Sequence, residues 1–191
     1  MESNKTNRRV QYTKMALKHS FIELLGKKDI TKITVKELCE SADINRTTFY
    51  LHFKDPYDLL EQVEQELIDG VDTYLASCNF THPSQFPIEG LEKLVDYVKE
   101  NKELFHILLN KNNDMTFQKK ILNIIGKQYF FSESNPAFAT HPQGDYIFLF
   151  FANGALGILK KWLEEDAVLP SRDIAALIIK IAAYGSSSLT G

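Results

Sequence analysis

The sequence predicts an all-α protein of about nine helices. Apolar residues recur at helical spacing through almost all of the 191-residue chain. No segment shows the alternation of β-branched and polar residues that is typical of strands. Helix-capping residues, prolines and small polar residues separate the apolar segments. Together these observations indicate helices joined by short connections.

The first predicted helix has an apolar face formed by Leu17, Phe21, Leu24 and Leu25. We expect Gly26 to end it in a left-handed cap. The second helix begins at Thr34, which forms a capping-box pattern with Glu37. It is about two turns long because its apolar stripe is short: Val35, Leu38, Cys39 and Ala42.

A tight turn at residues 43–44 leads to Asn45, a good N-cap for a short third helix. Ile44 and Phe49 have the spacing of a hydrophobic staple, and Phe53 lies on the same face as Phe49. The fourth helix begins at Asp55-Pro56 as N-cap and first helical residue, and extends to about Ala76.

A loop at residues 79–87, with two prolines, is the best candidate for a domain boundary. A second polar loop covers residues 132–143. The remaining predicted helices lie near residues 88–100, 101–110, 114–131, 145–165 and 171–185. We therefore divide the chain into a head (residues 1–55), a connecting helix (56–78) and a body (79–191).

Charge is distributed unevenly between the two ends of the chain. Residues 1–60 contain 11 Lys and Arg against 8 Asp and Glu, a net charge of +3. The remaining residues contain 11 against 17, a net charge of −6. A basic head on an acidic body can hold a polyanion at one end.

Two short helices joined by a tight turn and braced by neighbouring helices form a helix-turn-helix. In the second of them, residues 45–54, Phe49 and Phe53 form an inner face and polar residues an outer one. Arg46 can contact guanine or, if it is less deeply placed, bridge phosphates. Thr47, Thr48 and Leu51 can meet base edges. We expect DNA phosphates to be contacted by Tyr50, His52 and Lys54. Thr34, at the start of the second helix, is expected to contact a phosphate as well.

The segment ITVKELCESADINRTTFYLHFKDPYDLL, residues 33–60, resembles the TetR-family signature. The residues that match are Thr34, Thr48, Tyr50, His52, Phe53, Leu59 and Leu60. The resemblance implies a dimeric regulator with a divergent C-terminal domain that dimerises and often binds a small molecule. Two residues depart from the signature: Asp43 replaces the usual turn glycine, and Pro56 replaces a phosphate-binding lysine.

The body is rich in aromatic residues, which fit either an apolar effector pocket or ordinary core packing. The candidate effector residues are Phe105, His106, Tyr129 and Asn153. Residues 146–159 are apolar almost all round, so a second copy of the chain is the expected cover, with burial inside one chain as the alternative. The candidate dimerisation residues are Gly154, Gly157, Leu177, Ile178 and Ile181. The run NGALGILKKWLEED, residues 153–166, resembles a TetR-like branch that includes a regulator of dihydroxyacetone use.

Other protein classes find little support. The five histidines are dispersed and no phosphate loop or nucleophile elbow occurs, so we predict no enzyme activity, cofactor or metal. Cys39 and Cys78 are expected to be buried free thiols. The N-terminus lacks an apolar signal and residues 146–159 are too short to span a bilayer, so we expect a cytoplasmic protein without membrane contact.

We therefore predict a sequence-specific, double-stranded-DNA-binding repressor that acts as a homodimer on a palindromic operator. A small-molecule effector or a partner protein is expected to act on its body. The alternative is a helical protein-interaction module whose helix-turn-helix binds DNA weakly or not at all. Salt-dependent DNA binding separates the two, because contacts to phosphates release counterions.

Overall fold

The computed structural model describes residues 2–77, 88–111, 116–126 and 140–187. These residues form nine α-helices and no β-strand, which confirms the all-α prediction. The helices are α1 (Glu2–Lys27), α2 (Val35–Ala42), α3 (Arg46–Tyr50), α4 (Pro56–Ser77), α5 (Ile88–Glu100), α6 (Lys102–His106), α7 (Thr116–Ile124), α8 (Gly144–Glu164) and α9 (Ser171–Ser187). A 3₁₀ turn, Ile30–Lys32, precedes α2, and a π-helical turn, Ile107–Lys111, follows α6.

The chain forms two compact units, Met1–Leu67 and Ile68–Gly191, and the boundary between them along the chain falls within α4. In the first unit α1 packs on α2, and α2 packs on α3. The core of this unit consists of apolar side chains without solvent exposure: Leu17, Phe21, Leu38, Phe49 and Leu59. The predicted limits of head, connecting helix and body stay predictions.

In the second unit α9 packs along α5, and α8 contacts both α6 and α9. Its most deeply buried residues include Val95, Phe105, Phe117, Trp162 and Ala175. The Trp162 indole donates a 3.0 Å hydrogen bond to the Leu169 carbonyl. This bond ties α8 to the turn before α9, where Asp166 and Ala167 have positive φ angles of 57° and 54°.

Two expectations about helix ends are wrong. α1 continues through Gly26, and none of the described glycines has a positive φ. The Lys28 N–H bonds the Leu24 carbonyl at 3.0 Å, so this turn closes as ordinary helix instead of a left-handed cap. The helix predicted over residues 101–110 is α-helical only to His106 and then continues as the π turn. Of the predicted helix 114–131, the structure describes residues 116–126.

α8 has 21 residues and, by length and composition alone, is long and apolar enough to cross a membrane. The apolar residues 146–159 lie within this helix, which matches the helix predicted near residues 145–165. A core helix of a soluble protein has the same properties. α8 packs against α6 and α9, and seven of its residues are buried. A single helix of this kind is weak evidence for a membrane span.

Candidate nucleic-acid interface

The start of α2 is fixed by a reciprocal capping box. The Glu37 carboxylate accepts hydrogen bonds from the Thr34 N–H at 3.1 Å and the Thr34 hydroxyl at 2.8 Å. The Glu37 N–H in turn donates to the Thr34 hydroxyl oxygen. The Lys28 ammonium donates a further bond to Glu37, and these contacts lower the pKa of Glu37 from 4.5 to about 2. The predicted capping box is confirmed.

The turn between α2 and α3 depends on Asp43. Asp43 is the C-cap of α2 with φ 53° and ψ 44°, in the left-handed region, and its N–H bonds the Cys39 carbonyl. Aspartate adopts this conformation at lower cost than most residues, which explains why the turn forms without glycine. Asn45 follows, and its side-chain oxygen accepts a 2.8 Å hydrogen bond from the Thr48 N–H. α3 is thereby capped as predicted.

α3 is anchored by two aromatic side chains on its inner face. Phe49 is fully buried, Phe53 is 2% exposed, and their ring centroids lie 5.7 Å apart. Regular α-helix ends at Tyr50, and residues 51–52 form a turn, so the helix is shorter than the predicted segment 45–54. Because the inner face is held so firmly, the outer side chains are presented from a fixed backbone.

The side chains predicted to contact DNA lie mainly at the surface. Tyr50 is 57% and Leu51 is 75% exposed. Both side chains are therefore accessible to a binding partner. The other exposed members of the set are Thr34, Arg46, Thr47 and Lys54, whereas Thr48 and His52 are half-buried. α3 and the turn after it thus carry a guanidinium, an ammonium, hydroxyls and apolar groups.

α4 starts at Pro56 and is capped by Asp55, as predicted, whereas the sequence reasoning missed the further bond that Asp58 accepts. Asp55 accepts hydrogen bonds from the N–H groups of Tyr57 and Asp58 at 2.8 and 2.9 Å. The Asp58 carboxylate accepts one from the Lys54 N–H at 2.8 Å, which lowers the pKa of Asp58. Pro56 has no N–H. The backbone N–H groups of Lys54, Tyr57 and Asp58 at the start of α4 are therefore hydrogen-bonded to carboxylates. An aspartate three residues after the N-cap was the available signal.

Cys39 is a buried free thiol, as expected. Burial raises the pKa of the thiol, and the charge of Arg46 offsets this only in part. At neutral pH Cys39 therefore behaves as a small apolar side chain of α2. Cys78 lies outside the described residues.

The predicted effector residues differ in their surroundings. Phe105 is a core residue that packs between Tyr97 and Phe117, with ring centroids 6.1 Å from each. His106 is half-buried. Asn153 is exposed and bonds the Leu149 carbonyl and the Gln118 side chain. Tyr129 lies outside the described residues. An open cavity of 440 Å³ is lined by Gln143, Tyr146, Ile147, Phe150, Phe151 and Gly185, and the predicted effector residues are not among them.

The predicted dimerisation residues lie on uncovered parts of α8 and α9. Gly154 and Gly157 are exposed, and a Cβ atom added at either would have no neighbour within 4 Å. Leu177 is 45% and Ile181 is 47% exposed, and Ile178 is half-buried. Further exposed apolar side chains on the same two helices are Tyr146, Leu149, Phe150 and Tyr184.

Two family models match the chain. Residues 22–63 match the model of bacterial regulatory proteins of the tetR family, and residues 86–184 match that of a TetR-type transcriptional regulator C-terminal region. The chain is also 26% identical over 109 residues to YxbF of Bacillus subtilis strain 168, described as an uncharacterized HTH-type transcriptional regulator. That match covers 55% of this chain and 28% of the relative, little more than a quarter of its length.

Solved structures share the fold at low identity. A TetR regulator from Streptococcus agalactiae 2603V has a TM-score of 0.64 and 21% identity, covering 94% of this chain and 98% of that one. The dihydroxyacetone kinase operon activator DhaS has a TM-score of 0.59 and 16% identity, covering 92% and 97%. FadR from Bacillus subtilis, in complex with stearoyl-CoA, has a TM-score of 0.60 and 12% identity, covering 90% and 98%.

Proposed function

The chain belongs to the TetR family of bacterial transcriptional regulators, and on that basis we propose that it is a homodimeric repressor that binds a palindromic operator. One observation supports this most strongly. The buried rings of Phe49 and Phe53 hold α3 so that Arg46, Thr47 and Tyr50 face solvent. A short helix anchored on one side and polar on the other suits the major groove.

Each exposed group has a role that follows from its chemistry. Arg46, in the first turn of α3, makes the bidentate contact to guanine. The hydroxyls of Thr47 and Thr48 and the apolar end of Leu51 meet base edges, including the thymine methyl. Tyr50, His52 and Lys54 bind phosphates, which position the protein without specifying sequence. Thr34 binds a phosphate at the start of α2, where its hydroxyl must turn away from Glu37.

Homodimerisation is supported by the uncovered apolar surface of α8 and α9. Gly154 and Gly157 leave space for a second helix to approach closely. Leu177 and Ile181 supply apolar area beside them. A twofold dimer of this kind presents two copies of α3, which requires half-sites about 34–36 Å apart, or a multiple of that spacing. Homodimers and repressors are typical of the family.

We further propose that the body receives the signal. A ligand releases the operator only if it binds the DNA-competent and DNA-incompetent arrangements with different affinity. The complex of Bacillus subtilis FadR with stearoyl-CoA supports a small molecule as the signal. A partner protein remains the second version of this proposal. Because the target is chromosomal DNA, the place of action is the cytoplasm.

The test is a selection of genomic fragments by the purified protein, followed by affinity measurements with Arg46→Ala at about 50 and about 200 mM salt. Arg172→Ala removes an exposed arginine from the second unit and serves as the control. We expect one palindromic site, weakened by about 1–3 kcal/mol in Arg46→Ala and unchanged in the control. Absence of enrichment, with no response to salt or to Arg46→Ala, would contradict the proposal.

The second candidate, a protein-interaction module, has one observation in its favour. Asp43, Asp55 and Asp58 place three carboxylates at the two turns beside α3, where they repel phosphates. Such a module would bind a protein partner with an affinity independent of Arg46. The same measurement distinguishes the two, since the module predicts no salt-dependent binding of duplex DNA.

A further inference from the structure

The N-terminal part of α1 carries a charge pattern that the proposed function has not used. Residues 3–16, here called the basic segment, contain Lys5, Arg8, Arg9 and Lys14 and no Asp or Glu. The family model for the DNA-binding domain matches residues 22–63. The basic segment therefore precedes the part of the head that this chain shares with the family.

The basic segment lies beyond the core of the head. Among the described side chains of α1, Leu17 is the first that is buried, and those from Arg8 to Ala16 are exposed or half-buried. At 1.5 Å per residue, α1 is about 39 Å long, and about 22 Å of it precedes Leu17. Several turns of helix thus extend past the residues that anchor α1.

Several cations in the anchored part of the head form ion pairs, whereas those described in the basic segment do not. Lys18 pairs with Glu66, Lys28 with Glu37 and Lys36 with Glu40. Arg8, Arg9 and Lys14 form no ion pair with any residue whose side chain the structure describes. Their charges are free to attract an external anion.

Stability of the helix does not explain these charges. Positive side chains near a helix N-terminus oppose the helix dipole. An isolated helical segment of this length is marginal by itself. A polyanion bound along it would offset the unfavourable interaction with the dipole and stabilise the helix.

We propose that the basic segment binds the phosphates of DNA that flanks the half-site read by α3, with Arg8 and Arg9 as the principal contacts. This inference rests on the proposed function, because it requires a head that binds duplex DNA. An anionic membrane is the other polyanion to consider. The basic segment contains no Leu, Phe or Trp to insert into lipid, and only Tyr12 and Met15 are large, exposed and apolar. DNA is therefore the partner that the composition favours.

The test measures binding of the full-length protein to a labelled duplex of mixed sequence, about 40 base pairs long, over a series of salt concentrations. Arg8→Gln/Arg9→Gln is compared with Lys93→Gln/Lys119→Gln, which removes two exposed lysines from the second unit. If both arginines contact phosphates, the slope of log Kd against log salt falls by about 1.8 for each bound protomer in the first variant. The control keeps the wild-type slope.

A second measurement places the contact on the flanks. When the selected operator is trimmed by one helical turn at each end, the wild type should lose affinity, and Arg8→Gln/Arg9→Gln should lose less.

Equal slopes for the wild type and Arg8→Gln/Arg9→Gln, with Arg46→Ala still weakened, would overturn this inference and leave the proposed function standing. Binding to vesicles of anionic lipid that requires Arg8 and Arg9, with no effect on DNA, would overturn it in favour of a membrane. If the wild type binds no duplex DNA at all, both this inference and the proposed function are overturned.

Discussion

The Lys28 ammonium lies 2.6 Å from the Glu37 carboxylate and so joins the residue after α1 to the first turn of α2. The same carboxylate accepts the two hydrogen bonds from Thr34. One side chain therefore orients two helices and also engages the hydroxyl that is proposed to contact a phosphate. This arrangement couples the stability of the head to its binding of DNA.

Protonation of Glu37 should destabilise the head. Its pKa is about 2 in the folded protein against an ordinary 4.5, so its stabilising contribution is complete above about pH 4.5 and is lost as the pH falls towards 2. Thermal melts of the wild type and Glu37→Gln should differ most at neutral pH and converge near pH 2. A difference that stays constant across this range would show that the ion pair and capping bonds do not stabilise the head.

Asp43→Gly should stabilise the α2–α3 turn. The φ angle of 53° costs an aspartate free energy that glycine does not lose, so we expect an increase of about 0.5–1 kcal/mol in the free energy of unfolding. Urea denaturation measures this change. Ser41→Gly, in the last turn of α2, is the control and should lower stability by about 0.5 kcal/mol. Equal effects of the two substitutions would contradict the left-handed turn.

Phe49→Ala should destabilise the head severely. Phe49 is fully buried, and removal of such a ring costs about 3–5 kcal/mol through lost burial and the cavity that remains. Tyr50→Ala removes the adjacent, 57% exposed ring and should change the melting temperature little while weakening DNA binding. Calorimetry with parallel DNA titrations separates the two effects. A stable Phe49→Ala protein would mean that this ring does not anchor α3.

Asp58→Asn should tighten DNA binding. The asparagine oxygen can still accept the hydrogen bond from the Lys54 N–H, whereas the negative charge beside the phosphates is removed. We expect a gain of about 0.5–1 kcal/mol in binding free energy at low salt, which decreases as salt rises. Asp96→Asn, at an exposed position of α5, provides the control. Unchanged affinity in Asp58→Asn would show that the start of α4 lies away from the DNA phosphates.

Gly154→Leu should convert a dimer to monomers without unfolding the chain. Nothing lies within 4 Å of a Cβ atom at this position, and leucine favours helix over glycine by about 1 kcal/mol. Sedimentation should report a smaller species, and circular dichroism an intact or more stable helical fold. A Gly154→Leu protein that remains dimeric would exclude this face of α8 from the interface.

The helix starts of the head could be predicted because their signals are local. Thr34 bonds a residue three positions ahead, and so does Asn45, so the sequence alone contains both partners. Gly26 shows the opposite case. Its residue type fits a left-handed cap, but the helix continues to Lys27 and the Lys28 N–H bonds the Leu24 carbonyl in the ordinary helical pattern. Glycine permits that cap without requiring it.

Features that depend on contacts between distant residues could not be predicted. The pair between Lys28 and Glu37 depends on how α1 meets α2. The π turn after His106 likewise depends on packing, since α6 and α7 both contact it. Hydrophobic periodicity places helices but does not distinguish α from π bonding.

The hydrogen bonds between carboxylates and backbone N–H groups at the start of α4 have a consequence for the proposed binding of DNA. With the donors of Lys54, Tyr57 and Asp58 already bonded to carboxylates, phosphates at this corner can be attracted only by side-chain cations. Attraction of that kind weakens as counterions accumulate. If the protein binds an operator as proposed, a rise in the potassium content of the cell under osmotic stress should lower the occupancy of that operator.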